Sequence, residues 1–134
     1  MNIKTSTEQA RVPVTILHVE GDLDSFTYND FLSRAQKLIK EGAQYMIIDL
    51  ADVPYVSSAG LRAIYTIFHD LRAVHPEENL SEEQMERAVR MGTYKSPHLK
   101  LLNLSDGVNG VFQMGGFGNY IETFTDREKA LASF

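Results

Sequence analysis

Cysteine is absent from all 134 residues. Disulfides, thiolate metal sites and cysteine nucleophiles are therefore excluded, and the chain suits a reducing compartment. Long apolar runs are also missing, and none approaches the ~20 residues that a membrane-spanning helix needs. The N-terminal stretch MNIKTSTEQARVP is polar and lacks the apolar h-region of a secretory signal. Positive charge is scarce, with 13 Lys and Arg against 18 Asp and Glu and a net charge of −5. A nucleic-acid groove wants a basic face, so a protein partner or a small molecule is expected before DNA. Two nucleotide and hydrolase signatures are lacking as well. The serines of YVSSAGLRAIY do not sit in the G-x-S-x-G pattern of an esterase elbow. The glycines of MGGFGNY (Gly115, Gly116, Gly118) have no Lys or Ser/Thr where a phosphate loop requires them.

What is present reads as one ordinary globular domain over 1–134, with 43% apolar and 23% charged residues. A chain this long buries roughly two-thirds of its unfolded surface, enough for a core without staples. Val12 to Glu20 is apolar on both alternating faces and rich in β-branched residues, which predicts a strand. Thr27 and Asp30 have capping-box spacing, and Tyr28, Phe31, Leu32, Ala35, Leu38 and Ile39 then recur at helical spacing. Gly42 fits the C′ position of that helix. The run Tyr45 to Leu50 predicts a central strand covered on both faces, and a second helix follows from Ser58 to Val74. His75-Pro76 stops it. Residues 75–97 shift in composition, setting Glu77, Glu78, Glu82, Glu83 and Glu86 against Arg87, Arg90 and Lys95. Ser81 and Gln84 again have capping-box spacing, so this segment reads as a charged, partly helical and largely solvated insertion. A strand from Leu99 to Leu104, a short helix ending at Gly115-Gly116, a strand over Tyr120–Phe124 and a helix over Asp126–Phe134 complete the chain. Strands alternating with helices predict an α/β fold with crossover connections: a mixed sheet of four to five strands packed with about four to five helices.

Chemistry is concentrated at few positions. A serine at a loop-to-helix junction ordinarily caps the helix by accepting a bond from a first-turn N–H. Ser57 and Ser58 differ from that default in two respects. Ala59 and Gly60 leave the junction approachable, and it follows the C-terminal edge of a central strand, where open α/β sheets place ligands. The histidines His18, His69, His75 and His98 show no spacing that commits one of them as a base. Asp22, Asp24, Asp49 and Asp52 lie near strand ends and have the composition for Mg²⁺. The better reading makes Asp22 and Asp24 turn residues and Asp52 a loop residue, each bonding local backbone. Phe112, Phe117, Tyr120 and Phe124 have core spacing rather than that of a nucleobase platform. No cofactor, metal or catalytic residue is expected.

Two stretches resemble a known family. EGDLDSFTYNDF (Glu20 to Phe31) is similar to the turn and first helix of STAS domains, the fold of bacterial anti-sigma factor antagonists. IIDLADVPYVSSAGLRAIY (Ile47 to Tyr65) resembles that family's strand, loop and Asp-Ser-Ser/Thr-Gly-Leu phosphorylation motif. The resemblance implies a STAS-like fold and a cytoplasmic regulatory module that is not an enzyme. It further implies binding, when unphosphorylated, to an anti-sigma factor serine kinase of the GHKL type, with a PP2C-type phosphatase restoring the active form. By position it makes Ser58 the phosphoacceptor, with Ser57 the runner-up. Asp24, Ser57, Ser58, Ala59, Gly60 and Leu61 become partner-binding residues. Ser57 replaces the motif's Asp and Ala59 its second Ser/Thr, which removes a negative charge beside the acceptor but keeps the acceptor hydroxyl. Phosphate at this helix start would add about −1.5 to −2 charge. The helix dipole favours an anion there by about 0.3–1 kcal/mol, so binding rather than folding would be switched. The alternatives are an unphosphorylated STAS scaffold or soluble subunit of a transport or lipid-trafficking complex, and a small nucleotide- or Mg-binding domain.

Overall fold

Strands apolar on both sides can only sit inside a sheet, and Pro13–Glu20 (β2) and Met46–Asp52 (β3) do so. The computed structural model describes residues 1–75 and 80–134. The expectations placed on Pro76, Glu77 and Glu78 lie outside the described residues. Asn2–Gln9 (β1) pairs antiparallel with β2 through a hairpin, and β2, β3, Leu99–Leu102 (β4) and Glu122–Phe124 (β5) run parallel, in the order β1-β2-β3-β4-β5.

Helices Tyr28–Lys40 (α1), Ser58–Ala73 (α2), Glu82–Arg90 (α3) and Asp106–Met114 (α4) fill the connections between the parallel strands. Because such crossovers are right-handed and the strand order is sequential, all four fall on one face. Their buried residues, Phe31, Ala35, Ile64, Ile67, Phe68, Leu71, Met85 and Phe112 among them, meet Leu17, Val19, Met46, Ile48, Leu50, Leu99 and Leu101 in the larger core. Val14, Ile16, Ile47 and Leu102 point the other way, onto Ala130, Leu131 and Phe134 at the C-terminal helix Arg127–Ala132 (α5). Phe112, Phe117 and Tyr120 are core residues, as their spacing predicts.

Several local expectations are revised. NIKTSTEQ reads as a polar start, yet it forms β1, an edge strand, mostly exposed and able to tolerate polar residues on both faces. The Thr27–Asp30 capping box does not form, because the Thr27 hydroxyl is used by the preceding loop, donating to the Asp22 carbonyl (2.7 Å) and accepting from the Asp24 N–H (3.0 Å). The Ser81–Gln84 box does form. α3 is solvated on its polar side but buries Met85, with Ala88 and Val89 packed on the larger core. The last two strands are shorter than expected, since Leu104 and Tyr120 lie outside them. Gly42 takes φ +114 just beyond α1, the left-handed turn that only glycine adopts cheaply.

Candidate partner-binding site

The parallel pairing of β2 and β3 brings their C-terminal ends together, so the loops that leave them are neighbours. They are stitched by backbone bonds: Gly21 N–H to the Asp52 carbonyl, Leu23 N–H to Tyr55 and Ser57 N–H to Leu23, each 2.9 Å. Leu23 and Val56 form an isolated parallel bridge and are both buried. The first turn of α2 sits directly on this seam. A Cβ on Gly60 would lie 2.6 Å from the Leu23 carbonyl oxygen and 2.9 Å from side-chain carbons of Leu23 and Val56. Gly60 is therefore required by close approach, not by an unusual φ.

The two serines have different jobs. Ser57 has extended backbone (φ −89, ψ 176) and is the N-cap of α2; its half-buried hydroxyl accepts a long bond, 3.5 Å, from the Gly60 N–H. Ser58 is the first helical residue and is exposed. Its hydroxyl has no hydrogen-bond partner among the described residues, and no acidic side chain occupies the first turn of α2. Ala59 is buried and Leu61 packs, half-buried, on the larger core. Asp24 is occupied in shaping its own loop: its carboxylate accepts from the Phe26 N–H (2.9 Å) and lies 3.3 Å from the Thr27 hydroxyl, a local Asx-type arrangement. The consequence is an exposed aromatic residue. Phe26, at the tip of that turn, is 91% exposed, and Tyr55 on the neighbouring loop is 52% exposed. Neither stands out in the sequence; for Phe26, an aromatic directly after Asp24-Ser25 is the available signal. A groove of about 550 Å³ continues from this end between α1 and α2, lined by Ser25, Tyr28, Leu32, Ala59, Arg62 and Thr66.

The strand-end aspartates divide between two places. Asp22 and Asp24 belong to the loop just described. Asp49 and Asp52 lie on the opposite face of the sheet, where His18 bonds both: Nδ1 to Asp49 Oδ2 at 3.0 Å and Nε2 to Asp52 Oδ2 at 2.9 Å. Asp52 is thus not a loop residue bonding local backbone, because a shift in strand register turns its side chain to His18. The hydrogen bond that His18 donates to Asp49 raises its pKa above the ordinary value; partial burial works against this, and the charge of Asp49 and the hydrogen bond and charge of Asp52 add to it. The four aspartates therefore do not converge on one Mg²⁺ site. The remaining histidines are elsewhere. His75 and His98 are buried and stacked 3.6 Å apart, with His75 Nε2 2.8 Å from the Gln44 carbonyl, and His69 lies against Tyr65. Among the described residues, no histidine hydrogen-bonds Ser57 or Ser58.

The sequence model of the STAS domain family matches residues 5–77. A Bordetella bronchiseptica protein described as a candidate anti-sigma factor antagonist, BtrV, is 25% identical over 116 residues, covering 87% of this chain and 82% of that one. Among solved structures, a candidate anti-sigma factor antagonist from Thermotoga maritima superposes with TM-score 0.72 at 14% identity, covering 96% of this chain and 91% of that one. The Bacillus cell fate determinant SpoIIAA, in its phosphorylated form, gives TM-score 0.63 at 18% identity, covering 97% and 96%.

Proposed function

The chain belongs to the STAS domain family, and from that premise we propose that it is an anti-sigma factor antagonist controlled by phosphorylation of Ser58. It binds an anti-sigma factor kinase of the GHKL type while Ser58 is free, loses that binding when the kinase modifies Ser58, and is restored by a PP2C-type phosphatase in the cytoplasm. It acts by binding, not by catalysis. The whole chain is read as one such domain, with residues 75–97 inserted in it.

One observation carries the choice of Ser58: its hydroxyl is exposed and unengaged at the first position of α2, whereas the hydroxyl of Ser57 is half-buried and caps the helix. Ser57 stands where the family motif has Asp, and either residue supplies the N-cap oxygen. The exchange therefore keeps the junction's architecture while removing a charge. Phe26 and Tyr55, on the two loops stitched beneath Ser58, offer the apolar contact a partner would cover. A phosphate there would meet a partner's docked surface with a dianion that is costly to desolvate.

Incubation with ATP and the kinase, followed by intact mass and peptide mapping, is expected to show one phosphate that is lost in Ser58→Ala and kept in Ser57→Ala. A phosphate on Ser57 or elsewhere would overturn the assignment. The Ser57 and Ala59 replacements also favour a second reading, an unphosphorylated STAS subunit of a transport complex. Recovery of transporter components instead of a kinase in pull-downs would select it.

A further inference from the structure

The sheet face away from α1–α4 is apolar only where α5 covers it; toward the C-terminal ends of β2 and β3 it becomes polar. Register explains how. β2 and β3 pair from Thr15–Met46 to His18–Asp49, and then β3 carries one extra residue, so that Glu20 stands opposite Asp52. In an unbroken strand Asp49 and Asp52, three apart, would face opposite sides. The bulge brings both carboxylates to the face already holding His18 and Glu20, at the cost of local ladder regularity.

We propose that His18, Glu20 and Asp52 bind a divalent transition-metal ion, best matched by Zn²⁺, with Asp49 as the residue that positions the imidazole. One donor atom from each of the three lies within 4.8 Å of the other two. Nε2 of His18 is 2.9 Å from Asp52 Oδ2 and 3.7 Å from Glu20 Oε1. Ligands each about 2.0–2.2 Å from a tetrahedral ion stand about 3.3–3.6 Å apart, so small side-chain adjustments complete the set, with a fourth position left to solvent. The other imidazole nitrogen, Nδ1, faces Asp49 Oδ2 at 3.0 Å. With Nδ1–H held on Asp49, the Nε2 proton that Asp52 otherwise accepts is the one the ion displaces, leaving the Nε2 lone pair to coordinate it, the usual carboxylate–histidine–metal relay. Asp49 is itself held by the Ala51 N–H (3.1 Å) and the Asn103 amide (3.4 Å). Three carboxylates surround one imidazole, and Lys4, 3.6 Å from Glu20, is the cation paired at the rim. A dication therefore meets an excess of negative charge. The imidazole nitrogen in the set selects transition ions over Mg²⁺ and Ca²⁺. Such an ion would fasten the ends of the two strands from which both loops of the partner site emerge.

The test uses the full chain, stripped with chelator and titrated with Zn²⁺ by calorimetry, and with Co²⁺ by visible absorption. One equivalent is expected, with a Co²⁺ spectrum of low coordination number. Asp49→Asn should weaken binding about 10–100-fold, as loss of an orienting partner does. His18→Gln and Asp52→Asn should weaken it at least as much, and Zn²⁺ should raise the melting temperature of the unmodified protein but not of His18→Gln. Glu20→Gln should weaken it as well, and Asp52, the most exposed of the three ligands, supplies the variant whose folding is least disturbed. Absence of Zn²⁺ binding by the unmodified protein, equal affinity in His18→Gln, or a preference for Mg²⁺ would each overturn the proposal.

Discussion

Ser57 and Ser58 are chemically identical and adjacent, yet the backbone gives them separate roles: one closes the helix and the other is displayed. The same junction makes Gly60 indispensable, since its missing Cβ is where the Leu23 carbonyl lies. Gly60→Ala is expected to destabilise the fold although alanine is the better helix former, because the atom it would meet at 2.6 Å is backbone and cannot rotate away. Ser57→Ala should cost about 0.5–1 kcal/mol, the low end for a cap, given its long bond, while Ser58→Ala should leave stability unchanged. Urea denaturation of the three variants checks the ranking, and a Gly60→Ala protein as stable as the parent would remove the close-approach argument. The serines and Gly60 were legible as a motif, but not the division of labour, which depends on a bridge between Leu23 and Val56 that are distant in sequence. His18 was illegible for a related reason. Its partners come from another strand through an irregular register, and alternation alone shows only that His18 and Glu20 share a face.

Elements with strong patterning behaved as their sequences demand, and the exceptions have identifiable causes. β2 and β3 are apolar on both faces because helices cover one side and α5 part of the other. β1 escaped notice because an edge strand needs little apolar surface; Ile3, Thr5 and Thr7, β-branched at period two, were its only mark. β4 conceals a second surprise. Lys100 is only 3% exposed within a strand otherwise of leucines, with its ammonium 2.6 Å from Glu122 on β5 and 5.6 Å from the Phe134 ring. Removing the carboxylate strands a buried charge, whereas replacing the lysine by a methionine of similar length removes the charge with its desolvation cost. Glu122→Ala should therefore destabilise by about 1–3 kcal/mol, and Lys100→Met by less or not at all. Thermal melts of both variants decide it; the reverse order would mean that the pair itself, rather than its imbalance, supplies the stability.

At the scale of the molecule, the sequential strand order puts four helices on one face, and both loops of the proposed partner site emerge at one end of the parallel strands. The surface that would meet a partner thus stands outside both cores. Phe26 and Ser58 can change without opening packed structure, while Phe68, buried in the larger core against Tyr94 and Tyr120, cannot. Phe26→Ala should accordingly leave the melting temperature within a few degrees of the parent while weakening partner affinity about tenfold or more, the behaviour of an exposed aromatic anchor. Phosphorylation of Ser58 should do the same by a different route. The dianion sits at a helix N-terminus, where the dipole stabilises it by about 0.3–1 kcal/mol, so the melting temperature should hold or rise slightly while binding is lost. Scanning calorimetry and partner titration on the same phosphorylated sample separate the two effects. A fall of many degrees on phosphorylation would mean that the modification acts by loosening α2 from the seam at Leu23 and Val56, not by blocking a docked surface.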